Sequence, residues 1–491
     1  MIRRLLLLIG LTSSFAPLGA LSLSAAEATR PNIIFVLADD LGYGDLGSYG
    51  QQMIATPQLD RLANEGLRFT QFYAGSTVCA PSRSVLMTGK HMGHTTVRGN
   101  AGNRGLEAQT LAASDVTVAT ILKQAGYATG LVGKWGLGEI DSTGAPWRHG
   151  FDYFYGFLNQ THAHNHYPDH LWRYDSRSPL SDNRVPLRND LVPVGTVPGV
   201  GYATKPVEYA NDLFFTEAEA FVERNKGGPF FLFLSLTLPH ANNERSRALG
   251  DGQEVPSYGT YADTPWPDAT KGQAAMITRM DTGVGRLMAR LRALGLDDNT
   301  VVIFSSDNGP HREGGPNYTP EFFKASGPLR GIKRDLTEGG IRVPFIVRWP
   351  GRTMPGTVSP HVGYFGDLLA TFAELAAAPV NVPHDGISLV PVLQGKADQQ
   401  ARHDHLYWEF YENTFKQAVV LEGRWKGIRS LRDDATMEIY DLSEDLGETR
   451  NLAPTQPERV HQLAKLMDDA HVPNRYWSFS PAATPAPTPS R

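Results

Sequence analysis

Cys79 opens the stretch Cys79-Ala80-Pro81-Ser82-Arg83 and is the only cysteine of 491 residues, so no internal disulfide can form. A lone cysteine reads first as a small buried hydrophobe. The neighbours add to that reading. Pro81 fixes one backbone dihedral, Arg83 returns to the same face one helical turn later, and the run through Thr88 stops at Gly89 as a helix does. Other chemically capable residues follow short apolar runs. Asp39-Asp40 close Ile33–Leu37 as either a solvated turn or half of a site for a hard cation such as Ca²⁺. Lys134, between Gly133 and Trp135-Gly136, is either solvated or a compact cation aimed into a pocket. His240 follows Phe230–Leu234 and Leu238-Pro239, where it caps a carbonyl or moves a proton near neutral pH. Asp307-Asn308-Gly309, after Val301–Phe304, reads as a common turn or as further oxygen ligands. His162, His164 and His166 alternate and would project together from an extended segment. A substrate-facing loop is favoured there over a polar surface or a zinc site.

The motif Cys79-x-Pro81-Ser82-Arg83, with the run to Thr88-Gly89, resembles the signature of type I sulfatases of the alkaline phosphatase-like superfamily. The likeness covers roughly residues 31 to 455. It implies that a formylglycine-generating maturation enzyme oxidises Cys79 to 3-oxoalanine (formylglycine), whose hydrate is the nucleophile. It further implies that Asp39, Asp40, Asp307 and Asn308, with residue 79, hold one Ca²⁺ ion. Arg83, Lys134 and Lys333 would spread the charge developing on the sulfate, and His240 would protonate the departing alcohol. Glu338 to Pro344 reads as architectural, with Gly339 and Gly340 permitting a tight turn. One position departs from the pattern. The family's common Gly-Lys-Trp-His-Leu-Gly is here Gly133-Lys134-Trp135-Gly136-Leu137-Gly138, so the histidine that assists sulfate release is missing. His91, His94, His162 and His164 are the candidates to replace it.

Independently of the family, Asp39-Asp40, Lys134, His240 and Asp307-Asn308 each follow a buried strand. In a largely parallel sheet the strand carboxyl ends gather on one edge, where ligands bind, so residues far apart in sequence would meet at one anion site. Helices are expected over Thr56–Arg68, Val116–Ala125, Tyr209–Asn225, Ala274–Leu294, Asp367–Ala376 and Pro457–Ala470. Residues 172 to 206 read as an irregular loop. The fold class is α/β: a large, mostly parallel mixed sheet flanked by helices, followed after residue 400 by short alternating strands forming a small antiparallel sheet. The expected organisation is a signal peptide over 1–26, a catalytic domain over 31–400, a C-terminal subdomain over 401–472 and a disordered tail over 476–491.

The charge balance, 46 basic against 51 acidic residues and a net −5, gives no electrostatic case for a nucleic-acid partner. Arg3-Arg4, the apolar Leu5–Leu11 and Ser24-Ala25-Ala26 read as a secretory leader without a membrane anchor, so periplasmic or secreted localisation is expected. The expected function is hydrolysis of a sulfate ester of a carbohydrate or aryl alcohol. Alternatives are a formylglycine-dependent phosphonate monoester or phosphodiester hydrolase, and a catalytically dead glycan-binding protein, to which Gly136 lends some support.

Overall fold

The structure is a computed structural model describing residues 30–178, 183–412, 414–431 and 436–478; the expected leader lies outside the described residues. The strands in chain order are β1 (Asn32–Ala38), β2 (Leu67–Tyr73), β3 (Ala128–Lys134), β4 (Tyr153–Phe157), β5 (His170–Asp175), β6 (Arg184–Pro186), β7 (Asp190–Pro193) and β8 (Gly201–Lys205). They continue as β9 (Phe230–Ser235), β10 (Thr300–Ser306), β11 (Phe345–Arg348), β12 (Thr357–Tyr364), β13 (His405–Phe410), β14 (Lys416–Leu421), β15 (Trp425–Ser430) and β16 (Thr436–Asp441). Ten of them form one mixed sheet in the order β12-β2-β11-β10-β1-β9-β3-β4-β5-β6. Its centre, β10-β1-β9-β3-β4, is parallel throughout.

The unalternated apolar β1 sits between two helical layers. Ile33, Phe35 and Leu37 enter one core cluster, while Ile34, Val36 and Ala38 enter the other. A strand buried on both faces needs no polar alternation. The parallel registers fix the geometry of the site: Leu37 lies opposite Ser235 and Ser305, and Gly133 lies opposite Ser235, so β1, β3, β9 and β10 end on the same edge.

β13 to β16 form the small antiparallel sheet. Tyr407, Val419, Leu421 and Ile439 on that sheet pack against Leu463 and Met467 of the helix Pro457–Ala470. This sheet is tied to the larger one through a buried ion pair: Lys426 Nζ donates to Glu338 Oε1 at 2.7 Å, and both side chains are fully buried.

Three expectations change. The supposed loop over 172–206 contains β6, β7, β8 and most of β5; β7 pairs with β8, and β5 and β6 extend the large sheet at its edge. The partly exposed sequences of β6, β7 and β8, with their charged residues and prolines, are those of edge strands. His162–His164 forms a 3₁₀ turn rather than an extended segment, and His162 packs on Phe157 and His170 while His164 and His166 meet His240. The tail does not begin at 476: Trp477 is buried against Tyr411, donates Nε1–H to the Ala108 carbonyl and lies under the Arg104 guanidinium. The rest of that tail, from 479, lies outside the described residues. Among the described residues no helix is long and apolar enough to cross a membrane.

Candidate active site

The helix Cys79–Thr88 begins at the cysteine itself, after an extended Val78, and ends at Gly89 with φ 68°. Every residue of this helix is buried, so its first turn is held rigidly at the sheet edge. Cys79 Sγ lies 3.4 Å from Asp39 Oδ1, and the next amide, Ala80 N–H, donates to Asn100 Oδ1. Burial and the nearby Asp39 carboxylate push the thiol well above its usual pKa. As an ordinary cysteine this residue would therefore stay protonated and be a poor nucleophile.

Asp39, Asp40, Asp307 and Asn308 converge from the ends of β1 and β10. The Asp40 amide donates to Asp307 Oδ1 at 3.1 Å, and Asn308 Nδ2 donates to Asp40 Oδ1 at 2.7 Å. Asp40 adopts φ 65°, a left-handed conformation that an aspartate tolerates better than most residues. Asn308 Nδ2 also donates to the Gly309 carbonyl, which fixes the amide orientation and leaves Asn308 Oδ1 buried with no partner among the described residues. Three carboxylates and an orphaned amide oxygen fit the oxygen-donor set of a hard divalent cation. Donor atoms of Asp39, Asp40, Cys79 and His240 all lie within 4.8 Å of one another.

Three cations answer the three carboxylates. Arg83 Nε and Nη2 donate to Asp307 Oδ2 at 3.2 and 2.8 Å, while Nη1 donates to the Lys134 carbonyl at 3.0 Å and to Ser235 Oγ. All three guanidinium nitrogens are thus bonded to protein acceptors, and the paired bonds position Asp307. Lys134, the last residue of β3, donates from Nζ to Asp39 Oδ2 at 2.6 Å. Lys333 Nζ donates to Asp40 Oδ2 at 2.8 Å and Glu313 Oε2 at 3.0 Å. Burial alone would raise the Asp39 carboxyl, but Lys134, with His240, Arg83 and Lys333, holds it well below the usual range. Burial works against the Lys333 charge, yet Asp40 and Glu313 hold its ammonium well above the ordinary lysine range.

His240 Nδ1 lies 2.6 Å from the Ala241 carbonyl, which makes Nδ1–H the donor and leaves Nε2 an acceptor, 3.1 Å from Lys333 Nζ. Burial, then Lys333, depresses the imidazole well below its usual pKa, so it rests neutral. The ring is clamped from outside: His164 stacks on it at 4.8 Å, and His166 Nε2 lies 2.8 Å from the His240 carbonyl. Of the histidines that sequence spacing left ambiguous, His164 thus packs on the His240 ring and His166 holds its backbone carbonyl. Glu313, which carries no sequence signal beyond lying six residues after Asp307, is the group that sequence reasoning missed.

The four candidates for the missing histidine do not meet Cys79. His91 and His94 stack on each other and contact Asp385. His162 packs on Phe157 and His170, and His164 is held by Glu244 at 3.0 Å. The structure also explains the glycine. Gly136 has φ 76°, and a Cβ added there would overlap the side-chain amide of Gln160. Gln160 occupies the volume a histidine would need, and its buried Nε2 has no partner among the described residues. Gly339 and Gly340 are needed for a different reason than expected. Neither has positive φ, but a Cβ on either would strike the backbone of Gly331 or Asp335.

The large mixed sheet, with a buried cysteine and a cluster of carboxylates at the carboxyl edge of its parallel centre, has the alkaline phosphatase-like architecture. Residues 31–378 match the family model "Sulfatase", and residues 332–471 match "N-sulphoglucosamine sulphohydrolase, C-terminal". The chain belongs to the sulfatase family and is a sulfuric ester hydrolase. It is 34% identical to arylsulfatase A of Bos taurus over 91% of this chain and 89% of that protein. It is 30% identical to the N-acetylgalactosamine-6-O-sulfatase of Bacteroides thetaiotaomicron over 90% of this chain and 93% of that protein. The solved structure of Ps i-CgsB in complex with k-i-k-neocarrahexaose superimposes with a TM-score of 0.71 at 25% identity, covering 90% of this chain and 92% of that one.

Proposed function

We propose that this chain is an exported sulfatase that hydrolyses sulfate esters of carbohydrates or aryl alcohols, using formylglycine made from Cys79 and one Ca²⁺ ion. Asp39, Asp40, Asp307 and Asn308 would hold the cation, which when bound supplies charge to the sulfate oxygens and acidifies the nucleophile. Oxidised by a formylglycine-generating enzyme, residue 79 would supply a geminal diol, one hydroxyl to attack sulfur and a second whose deprotonation expels sulfate, a route closed to serine.

The other steps belong to this chain's own side chains. Arg83 holds Asp307 in place through its paired hydrogen bonds. Asp39 Oδ1 accepts from residue 79 and orients it. Lys134 and Lys333 transfer their ammonium groups from carboxylates to sulfate oxygens, where fixed positive charge stabilises the transition state. Lys333 donates to His240 Nε2, so the proton for the departing oxygen comes from this pair, with the ring orientation set by the Ala241 carbonyl. The organisation proposed with this function is a catalytic domain over 31–400 and a C-terminal subdomain over 401–472, delivered to the periplasm or outside.

The main support is Asn308 Oδ1, a buried oxygen with no partner among the described residues, on a side chain fixed by its Nδ2 bonds to Asp40 and the Gly309 carbonyl. The test is sulfate release by matured protein after chelation and after Ca²⁺ is returned. Activity lost on chelation and restored by Ca²⁺ is expected; full activity in the rigorously metal-free protein would overturn the cation assignment.

A further inference from the structure

Exposure rises in one direction away from the reacting cluster. Asp40, Lys333 and His240 are no more than 3% exposed, whereas Glu313, Glu412 and Arg334 are 19%, 28% and 38% exposed. These last three form a continuous arch. Glu313 bonds Lys333 on its inner side and Arg334 on its outer side. Arg334 Nε donates to Glu412 Oε2 at 2.8 Å, and Glu412 Oε1 faces Asn100 Nδ2 at 3.5 Å. Asn100 in turn accepts from the amide beside Cys79. The arch thus begins at the residues flanking the leaving oxygen and ends at the nucleophile's helix. Arg334 is also held at φ 77°, a strained conformation of the kind that persists at functional sites when the surroundings enforce it.

We propose that this arch is the binding site for the leaving group and that the leaving group is a saccharide. The inference rests on the sulfatase function above and selects between its two substrate classes. Arg334 Nη2 offers N–H donors beyond the Nε and Nη1 bonds to the carboxylates, and Glu412 Oε1 has only a long contact. A planar guanidinium between two carboxylates presents donors and acceptors side by side, which matches the adjacent hydroxyls of a sugar ring. An aryl or steroid leaving group would strip water from these charged groups and return no hydrogen bonds, and burying unpaired polar groups is expensive. A site built to hydrogen-bond hydroxyls rejects analogues without them far more strongly than an apolar pocket rejects an extra hydroxyl.

The experiment compares sulfate release from a panel of singly sulfated hexoses and N-acetylhexosamines with release from 4-nitrophenyl sulfate, in wild type, Arg334→Ala, Arg334→Lys and Glu412→Gln. Wild type should prefer at least one sugar sulfate. Arg334→Ala should lower kcat/KM for that sugar by on the order of 10- to 100-fold, the loss expected for a hydrogen bond to a charged group, mainly through KM. Its loss on the aryl ester should be smaller, so the sugar-to-aryl ratio falls. Arg334→Lys should keep the charge but not the fork and recover only part of the sugar activity. Binding of the preferred sugar sulfate to the Cys79→Ala protein should weaken in parallel when Arg334→Ala is added. Preference for the aryl ester over every sugar, or equal losses on both substrates in every variant, would overturn the saccharide assignment while leaving the sulfatase intact. Release from no ester by folded, matured protein would overturn the sulfatase function itself.

Discussion

Replacing Gly136 with the histidine common in its relatives should damage this protein rather than improve it. The backbone at 136 has φ 76°, and the space beyond its Cα holds the Gln160 amide. A side chain in the left-handed region costs about 1–2 kcal/mol. Forcing an imidazole into a filled volume adds about 1–3 kcal/mol. Gly136→His should therefore lose about 2–5 kcal/mol of stability, the sum of those two penalties. Adding Gln160→Ala removes the crowding but not the backbone strain, so the double variant should regain most of the second penalty and none of the first. Gly136→Ala, which meets Gln160 only through its Cβ, should fall between wild type and Gly136→His. Urea unfolding followed by tryptophan fluorescence measures all four proteins, and sulfate release measures whether the new imidazole adds activity. A Gly136→His protein as stable as wild type, or no recovery on adding Gln160→Ala, would refute the steric explanation for the glycine.

Other outcomes follow from the same geometry. Lys426→Ala removes one partner of the buried Glu338, which keeps Arg342 and Tyr73; the loss should fall below the about 3–5 kcal/mol of a fully stranded buried charge, and urea unfolding should register it. Arg83→Ala should destabilise the fold by about 3–5 kcal/mol, because Asp307 loses its paired donors. Asn308→Leu keeps the approximate volume but removes the orphaned oxygen, so Ca²⁺ affinity by calorimetry should fall at least about tenfold, and unchanged affinity would take Asn308 out of the site. Burial holds the His162 imidazole at about 3 and His166 at about 4, below their unfolded value. A depressed histidine favours the unfolded state once protons bind there, so this contribution is intact above pH 6.5 and is lost as pH falls toward 4. Each group should lose about 1.36 kcal/mol per pH unit over that window, and His162→Phe should flatten the acid limb of a stability–pH curve.

The strands that carry the site were legible because they are buried on both faces. Ile33–Leu37, Phe230–Leu234 and Val301–Phe304 are apolar without alternation, and each is followed by its polar ligand residues, so both the parallel sheet and the shared edge could be read from the chain. The helix Pro457–Ala470 was equally plain, with Pro457 at its first position. The strands β5 to β8, at the margin of the large sheet and in the two-stranded sheet, were not legible, since partial exposure leaves them a composition indistinguishable from a loop. The histidine run misled for a related reason: alternation implies a shared face only in extended backbone, and the 3₁₀ turn at His162–His164 removes it. Arg83 was found by its motif, yet its engagement with Asp307 depends on residues 224 positions apart. Gln160 filling the space at Gly136 is a tertiary fact with no local signature.

The most direct measurement is the mass of the peptide containing Cys79, from protein co-expressed with a formylglycine-generating enzyme and from protein expressed without it. Exchange of the thiol for an aldehyde or its hydrate in the first sample, together with sulfate release confined to that sample, is the expected result. An intact thiol in a preparation that nonetheless hydrolyses sulfate esters would contradict the account at its nucleophile.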